Sequence, residues 1–123
     1  MKKINLHEPI FDKQDFKSLK NCFDSGWIAA GGSFENKFEN CLKKKINAKY
    51  ISLIINCTSA LQIALLQSGV KKSHEVITPT ITFISTINAI LYNSASPLFM
   101  DIDDYFNLDE EKTINKIFQL LNV

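Results

Sequence analysis

The fold is decided by Tyr50-Ile51-Ser52-Leu53-Ile54-Ile55-Asn56-Cys57-Thr58-Ser59, near the middle of this 123-residue chain. Its first six residues, Tyr50 to Ile55, form an apolar run with β-branched side chains, which predicts a buried strand. Four polar residues follow, and a run with helical apolar spacing comes next and is closed by Gly69. The stretch therefore predicts a strand, a turn and a helix in direct succession.

The same succession repeats toward the end of the sequence. A second strand is predicted at Glu75 to Thr78 and stops at Pro79, and a helix follows from about Thr82 to Tyr92. A third strand is predicted from about Pro97 to Ile102, and Asp109 is the expected N-cap of a last helix. The inward face of that last helix is predicted to carry Ile114, Ile117, Phe118 and Leu121. Strands that alternate with helices predict an α/β fold with three parallel strands, whose open edges indicate part of a larger sheet.

Residues 1–49 are predicted to form an extended segment and two helices, followed by an incomplete α/β domain at 50–123. Asp12 is a good N-cap for the first helix, which should end before Gly26. Ser33 is the expected cap of the second helix. Apolar side chains at helical spacing predict one buried face on each helix, with Cys41 as a core thiol. Those faces consist of Phe16, Leu19, Cys22 and Phe23 on the first helix and Phe34, Phe38, Cys41 and Leu42 on the second.

The composition argues against several functional classes. The net charge is +1, which gives no bulk attraction to nucleic acid or to an acidic membrane. Three separated cysteines without a CxxC motif argue against a zinc site and are typical of reduced thiols in a cytoplasmic protein. The chain has 14 lysines and no arginine, so any bound anion must rely on backbone N–H groups, hydroxyls or lysine.

The candidate chemistry lies where the predicted strands end and helices begin. Thr58 and Ser59 would open a helix there, and hydroxyls with free N–H groups at a helix N-terminus can hold a phosphate. Simple capping by Thr58 or Ser59 explains these residues equally well. Phe83 opens another helix at the same predicted sheet edge, where it could stack on a flat ring or belong to the core. Neither GxGxxG nor GxxxxGK[ST] occurs in the sequence.

Nine short strings then make a resemblance to a known family. The strings are Asn5-Leu6-His7-Glu8-Pro9, Asp24-Ser25-Gly26-Trp27-Ile28, Gly31-Gly32-Ser33-Phe34, Phe38-Glu39, Asn56-Cys57-Thr58-Ser59-Ala60-Leu61, Glu75-Val76-Ile77-Thr78-Pro79, Thr82-Phe83, Asn88-Ala89-Ile90 and Pro97-Leu98-Phe99-Met100-Asp101-Ile102-Asp103. Together, and in this order, they resemble the DegT/DnrJ/EryC1/StrS family of pyridoxal-phosphate-dependent sugar aminotransferases.

The resemblance implies the N-terminal part of the large domain of a fold type I aminotransferase, which works as a homodimer. It implies pyridoxal 5'-phosphate (PLP) as cofactor, with Thr58 and Ser59 at its phosphate and Phe83 stacked on its ring. It also places Ser25, Gly26, Trp27 and Gly32 near the sugar nucleotide or the dimer interface. The implied reaction moves an amino group from glutamate to a nucleotide-linked keto-deoxysugar.

The sequence departs from the family in ways that leave two main hypotheses open. Glycine is usual where Cys57 and Ser94 stand, and Gly-Asp is usual where Ser73-His74 stands. The family's Schiff-base lysine and the aspartate that pairs with the pyridine nitrogen are expected beyond Val123, so no catalytic residue is assigned here. The chain is either part of such an aminotransferase or a non-catalytic remnant or interaction module derived from one. A free-standing phosphate-binding domain is a third, minor alternative.

Overall fold

A computed structural model describes residues 4–5, 7–27 and 29–121. These residues form two compact units, one up to Leu53 and the other from Ile54 onward. In the described residues, no helix is both long and apolar enough to cross a membrane.

The first unit contains α1 (Lys13–Asp24) and α2 (Ser33–Ile46). Asp12 caps α1 as expected, because its carboxylate accepts from the N–H groups of Gln14 and Asp15 at 2.7 and 3.0 Å. The prediction that Ser33 caps α2 is wrong: Ser33 is already helical, and Gly32 is the N-cap with no side-chain hydrogen bond. The carboxylate of Glu35 accepts from the N–H of Gly31, one residue before that N-cap.

The apolar faces of α1 and α2 are exposed within this unit. Phe16 is 70% and Phe38 54% exposed, and neither helix contains a buried residue. Cys41 is also exposed, so its prediction as a core thiol is wrong. The helical spacing of these residues is right, but the faces that they form stay largely exposed, with only Cys22 and Leu42 half-buried among their non-aromatic members.

The second unit contains α3 (Cys57–Gln67), β1 (Glu75–Pro79), α4 (Ile84–Tyr92), β2 (Ser96–Met100) and α5 (Glu110–Leu121). The two strands pair in parallel with Val76 opposite Pro97, which confirms the predicted β-α-β crossover through α4. Helix α4 packs against α3 and against both strands. The core is small: the buried residues are Thr78, Ala89, Ile90 and Ala95.

The prediction of a strand from Tyr50 to Ile55 is wrong. These residues are not paired with any described strand, and the sheet has two strands rather than three. Tyr50 is 78% and Ile55 92% exposed. An apolar, β-branched run favours extended backbone, but a strand also needs a neighbour to accept and donate its hydrogen bonds, and β1 pairs with β2 alone.

A compact turn leads from β2 into α5. Asp103 organises it, since its carboxylate accepts from the N–H groups of Tyr105 and Asn107 at 2.9 and 2.8 Å. Asp109 then caps α5 as predicted, accepting from the N–H of Lys112 at 3.0 Å. The expected inward face of α5 is exposed, however: Ile114 is 51% and Leu121 64% exposed.

Candidate functional site

The N-terminus of α3 is the first part of the candidate site. Asn56 is its N-cap, and the side-chain oxygen of Asn56 accepts from the N–H of Ser59 at 2.8 Å. The carbonyl of Asn56 accepts from Ala60 at 3.1 Å, which closes the first turn. Capping by Thr58 or Ser59, the alternative left open above, is therefore wrong, because asparagine in an extended conformation already fills that role.

Two backbone donors remain at this helix end. Within the described residues, the N–H groups of Cys57 and Thr58 make no hydrogen bond, whereas that of Ser59 is taken by Asn56. The side chains of Thr58 and Ser59 are half-buried, and the first turn contains no acidic residue. The terminus therefore keeps its positive partial charge and offers two N–H groups beside two hydroxyls, a suitable set for an anion.

Phe83 lies at the start of the next helix. It is the N-cap residue of α4, and its side chain is 78% exposed, so it is not part of the core. The side chain of Asn93 donates to the carbonyl of Gln62 at 3.1 Å and ties α4 to α3. Phe83 was predicted to lie beside Thr58 because both would follow adjacent parallel strands, but Tyr50 to Ile55 is not a strand, so the sheet does not bring the two residues together in this way.

A cavity of about 210 Å³ lies in the loop between α1 and α2. Its walls are formed by Cys22, Ser25, Trp27, Ala29, Gly32, Ser33, Phe34 and Glu35. Three of the four residues assigned to the substrate are thus brought together, while Gly26 forms the turn beside them with φ +69°. Cys22 and Glu35 were not assigned, although their helical positions place them within one turn of the loop.

The loop is held in shape by close contacts. The hydroxyl of Ser25 donates to the carbonyl of Cys22 at 2.6 Å and accepts from the N–H of Trp27 at 3.2 Å. Gly32 lies against the indole, and a Cβ there would lie 2.8 Å from Cδ1 of Trp27. Any larger residue at Gly32 must therefore displace the Trp27 ring.

The positions that depart from the family differ in their backbone conformation. Ser94 has φ +58°, the left-handed region that glycine adopts without strain. Ser73 and His74 do not lie in that region, and their turn is closed by a 2.9 Å bond from the N–H of His74 to the carbonyl of Lys71. Cys57 is an exposed helical residue. Of these departures, only Ser94 carries a left-handed backbone.

Charged groups cluster at the start of α5. Lys112 Nζ lies 2.6 Å from a carboxylate oxygen of Asp101 and 3.3 Å from one of Asp109. The hydrogen bond from Lys112 lowers the pKa of Asp101, and the backbone N–H of Lys112 lowers the pKa of Asp109. The side chain of Lys112 is 57% exposed, so the cluster fastens α5 to the end of β2 with modest energy. The described residues contain no group of three potential metal ligands.

Known proteins with similar sequences belong to the family that the nine strings resemble. The family model of the DegT/DnrJ/EryC1/StrS aminotransferase family matches residues 9–119. GDP-perosamine synthase of Escherichia coli O157:H7 is 38% identical over 104 residues, which cover 85% of this chain and 29% of that protein. Spore coat polysaccharide biosynthesis protein SpsC of Bacillus subtilis is 34% identical over 105 residues, which cover 85% of this chain and 27% of SpsC. The chain thus spans under a third of the length of these relatives.

Solved structures show the same fold. The PLP form of Spr1654 from Streptococcus pneumoniae superposes with a TM-score of 0.83 at 24% identity, covering 91% of this chain and 29% of that one. The aminotransferase from Psychrobacter cryohalolentis gives a TM-score of 0.73 at 27% identity, covering 77% and 24%. The fold is that of PLP-dependent aminotransferases of fold type I. With the family model matching most of its length, the chain belongs to the DegT/DnrJ/EryC1/StrS aminotransferase family.

Proposed function

We propose that this chain serves PLP-dependent transfer of an amino group from glutamate to a nucleotide-linked keto-deoxysugar. The observation that carries the proposal is the 38% identity with a GDP-perosamine synthase over a segment that contains the N-terminus of α3. The chain would supply the part of the site that holds the cofactor phosphate and one wall of the sugar-nucleotide site.

The donors at α3 suit the phosphate of PLP. The free N–H groups of Cys57 and Thr58 and the hydroxyls of Thr58 and Ser59 can surround an anion without any arginine. A helix N-terminus contributes at most about 2 kcal/mol to such an anion. Micromolar affinity needs about 8 kcal/mol, so these donors alone would hold PLP weakly.

Phe83 is proposed to cover the flat face of the cofactor ring. Its exposed ring, at the first turn of α4, is available for stacking. When bound, PLP supplies an aldehyde that takes up amino groups and a ring that withdraws electrons. The role of this chain is to anchor and orient that group rather than to transfer protons, because none of its lysines lies in a motif matching the family's cofactor-bound lysine.

The cavity between α1 and α2 is proposed to take part of the sugar nucleotide. Its wall combines Trp27 with Ser33 and with Ser25, whose hydroxyl already donates its proton to the carbonyl of Cys22. An aromatic face beside a few hydroxyls suits the apolar and polar sides of a sugar or base. The volume of about 210 Å³ is below that of a whole-ligand pocket, so we expect one ring of the substrate to enter it.

We also propose that the active assembly is a homodimer. The support is the amount of apolar surface left exposed, including Phe16, Phe38 and Ile117 on three different helices. Exposed apolar faces of this kind are typical of surfaces that are covered in a larger assembly.

The experiment is a chimaera in which residues 9–119 replace the matched part of the E. coli GDP-perosamine synthase. We expect glutamate-dependent amination of the GDP-linked keto sugar by the chimaera, measured by mass spectrometry of the product. The 123-residue chain alone should show neither transamination nor specific labelling of one lysine after treatment with PLP and borohydride. Stoichiometric labelling of a single lysine in the isolated chain would contradict the assignment of its residues to anchoring alone.

A second candidate is a non-catalytic remnant or interaction module. It is favoured by Ser94, which holds a left-handed conformation at a position where family members usually have glycine. A folded chimaera without activity would support this candidate, above all if Cys57→Gly and Ser94→Gly restored the activity. Activity of the unmodified chimaera would reject it.

A further inference from the structure

Helix α3 is joined to the rest of its unit mainly through α4. Helix α4 packs against α3 and against both strands, so it links α3 to the sheet. The packing of α3 is light, since the helix contains no buried residue. Apolar packing is also non-directional, and packed helices can slide against each other over short distances. A fixed position of α3 therefore requires a directional contact as well.

The side chain of Asn93 supplies such a contact. Its amide nitrogen donates to the carbonyl of Gln62 on α3 at 3.1 Å and to the carbonyl of Ala89 on α4 at 2.9 Å. Among the described residues, the bond to Gln62 is the only hydrogen bond between α3 and a part of the chain that is distant in sequence. Asn93 is half-buried, and both protons of its amide are used, one within α4 and one across to α3.

This bond connects the two helices that carry the candidate cofactor residues. Gln62 lies one helical turn after Thr58, which is about 6 Å along the helix axis. Asn93 is the C-cap of α4, the helix whose N-cap is Phe83. A directional bond between Gln62 and Asn93 thus fixes the helix with the phosphate donors against the helix with the exposed aromatic ring.

We propose that Asn93 is a positioning residue, which holds α3 in register with α4 and so sets the spacing between the donors at Thr58 and the ring of Phe83. Its link to the cofactor rests on the proposed function, whereas the bond between the helices rests on the geometry alone. Loss of this bond should leave the phosphate donors and the aromatic ring intact and change their relative position. The site would then still bind a bare phosphate but would orient a PLP ring less firmly.

The substitution Asn93→Ser removes the bond to α3 and keeps the one within α4. Ser68 occupies the same C-cap position on α3, and its hydroxyl donates to the carbonyl of Ala64, four residues earlier, at 2.8 Å. A serine in place of Asn93 can therefore bond the carbonyl of Ala89 in the same way. A hydroxyl has a single proton to donate, so the bond to Gln62 is lost.

Hydrogen exchange of the 123-residue chain tests the bond between the helices by itself. Loss of one hydrogen bond should speed the exchange of α3 amides about threefold to tenfold in Asn93→Ser. The amides of α4 should keep their rates, because the bond to Ala89 and the contacts with both strands remain. Asn107→Ser is the matched control, since Asn107 is exposed and its side chain makes no hydrogen bond with the residues that the structure describes. Unchanged exchange of α3, or equal acceleration of α3 and α4, would overturn the proposal.

The chimaera described above separates positioning from general destabilisation. In Asn93→Ser, the affinity for inorganic phosphate, followed by the amide shift of Thr58, should be unchanged, because the donors on α3 are untouched. The visible circular dichroism of bound PLP should decrease, because its ring is held less firmly. A parallel loss of phosphate affinity, or an unchanged dichroism, would contradict the positioning role. If the unmodified chimaera bound no PLP, the proposed function would fail, and hydrogen exchange would still decide whether Asn93 holds α3.

Discussion

Replacing Asn56 by alanine tests whether the start of α3 is set by its cap. The side-chain oxygen of Asn56 makes one 2.8 Å hydrogen bond with the N–H of Ser59, and the site is exposed. Loss of an N-cap side chain costs about 1 kcal/mol, which corresponds to roughly a fivefold change in an equilibrium constant. We therefore expect the amides of α3 to exchange with solvent about five times faster in the Asn56→Ala chain.

The assay is hydrogen exchange of α3 amides, with those of α5 as an internal reference. Asn56→Asp is the matched control, because aspartate caps as well as asparagine does. That variant should keep the exchange rates of α3, yet bind inorganic phosphate or PLP more weakly, because it places a negative charge beside the free N–H groups. If Asn56→Ala left α3 unchanged, or Asn56→Asp opened it equally, the cap would not be responsible for this helix start.

Three further predictions concern other parts of the chain. Ser94→Gly should stabilise the second unit by up to about 1 kcal/mol in urea unfolding, since glycine adopts the left-handed backbone at φ +58° without strain. Gly32→Ala should shift the fluorescence of Trp27, the sole tryptophan, because the new Cβ would lie 2.8 Å from its Cδ1; an unchanged spectrum would argue against that packing. Lys112→Met should raise the pKa of Asp101 toward its ordinary value of 3.8 in an NMR titration. In the unmodified chain the pKa of Asp101 lies below 3.8, so its ion pair stabilises the folded state above pH 3.8. That stabilisation is lost as the pH falls through the lowered pKa.

Local signals in the sequence located the five helices and both strands that the structure describes. Asp12 and Asp109 are caps in the structure, and β1 ends at Pro79, one residue beyond the predicted strand. These features depend on a few neighbouring residues, so the sequence suffices for them. Ser33 was wrongly expected to cap α2 because glycine can also serve as an N-cap, and a sequence does not reveal which of two neighbours adopts the extended conformation.

Features that require a distant partner could not be predicted. The run from Tyr50 to Ile55 has the composition of a strand, yet pairing depends on a neighbour elsewhere in the chain, and none of the described residues provides one. The exposure of Cys41 and Ile114 has the same origin. Their spacing identifies an apolar helix face correctly, but it does not say which element covers that face.

The candidate site also contains features that the sequence predicted and features that it did not. The polar stretch after the apolar run predicted a helix start near Thr58, and α3 begins at Cys57. Of the eight residues that line the loop cavity, the family resemblance assigned three, Ser25, Trp27 and Gly32. The occupation of the Ser59 N–H by Asn56 was not foreseen, because either capping or anion binding was compatible with the residues present.

The most direct test of the account is the amount of PLP that the chimaera retains after a Thr58→Ala substitution. Ser68→Ala is the matched control, since Ser68 lies at the opposite end of α3 and its hydroxyl donates to the carbonyl of Ala64 at 2.8 Å. Loss of a hydroxyl that donates to a charged phosphate costs about 1.5–3 kcal/mol, so PLP affinity should fall about tenfold or more. Absorbance of PLP after dialysis should therefore drop for Thr58→Ala and stay unchanged for Ser68→Ala. Equal retention by the two variants would contradict the assignment of the α3 N-terminus to the cofactor phosphate.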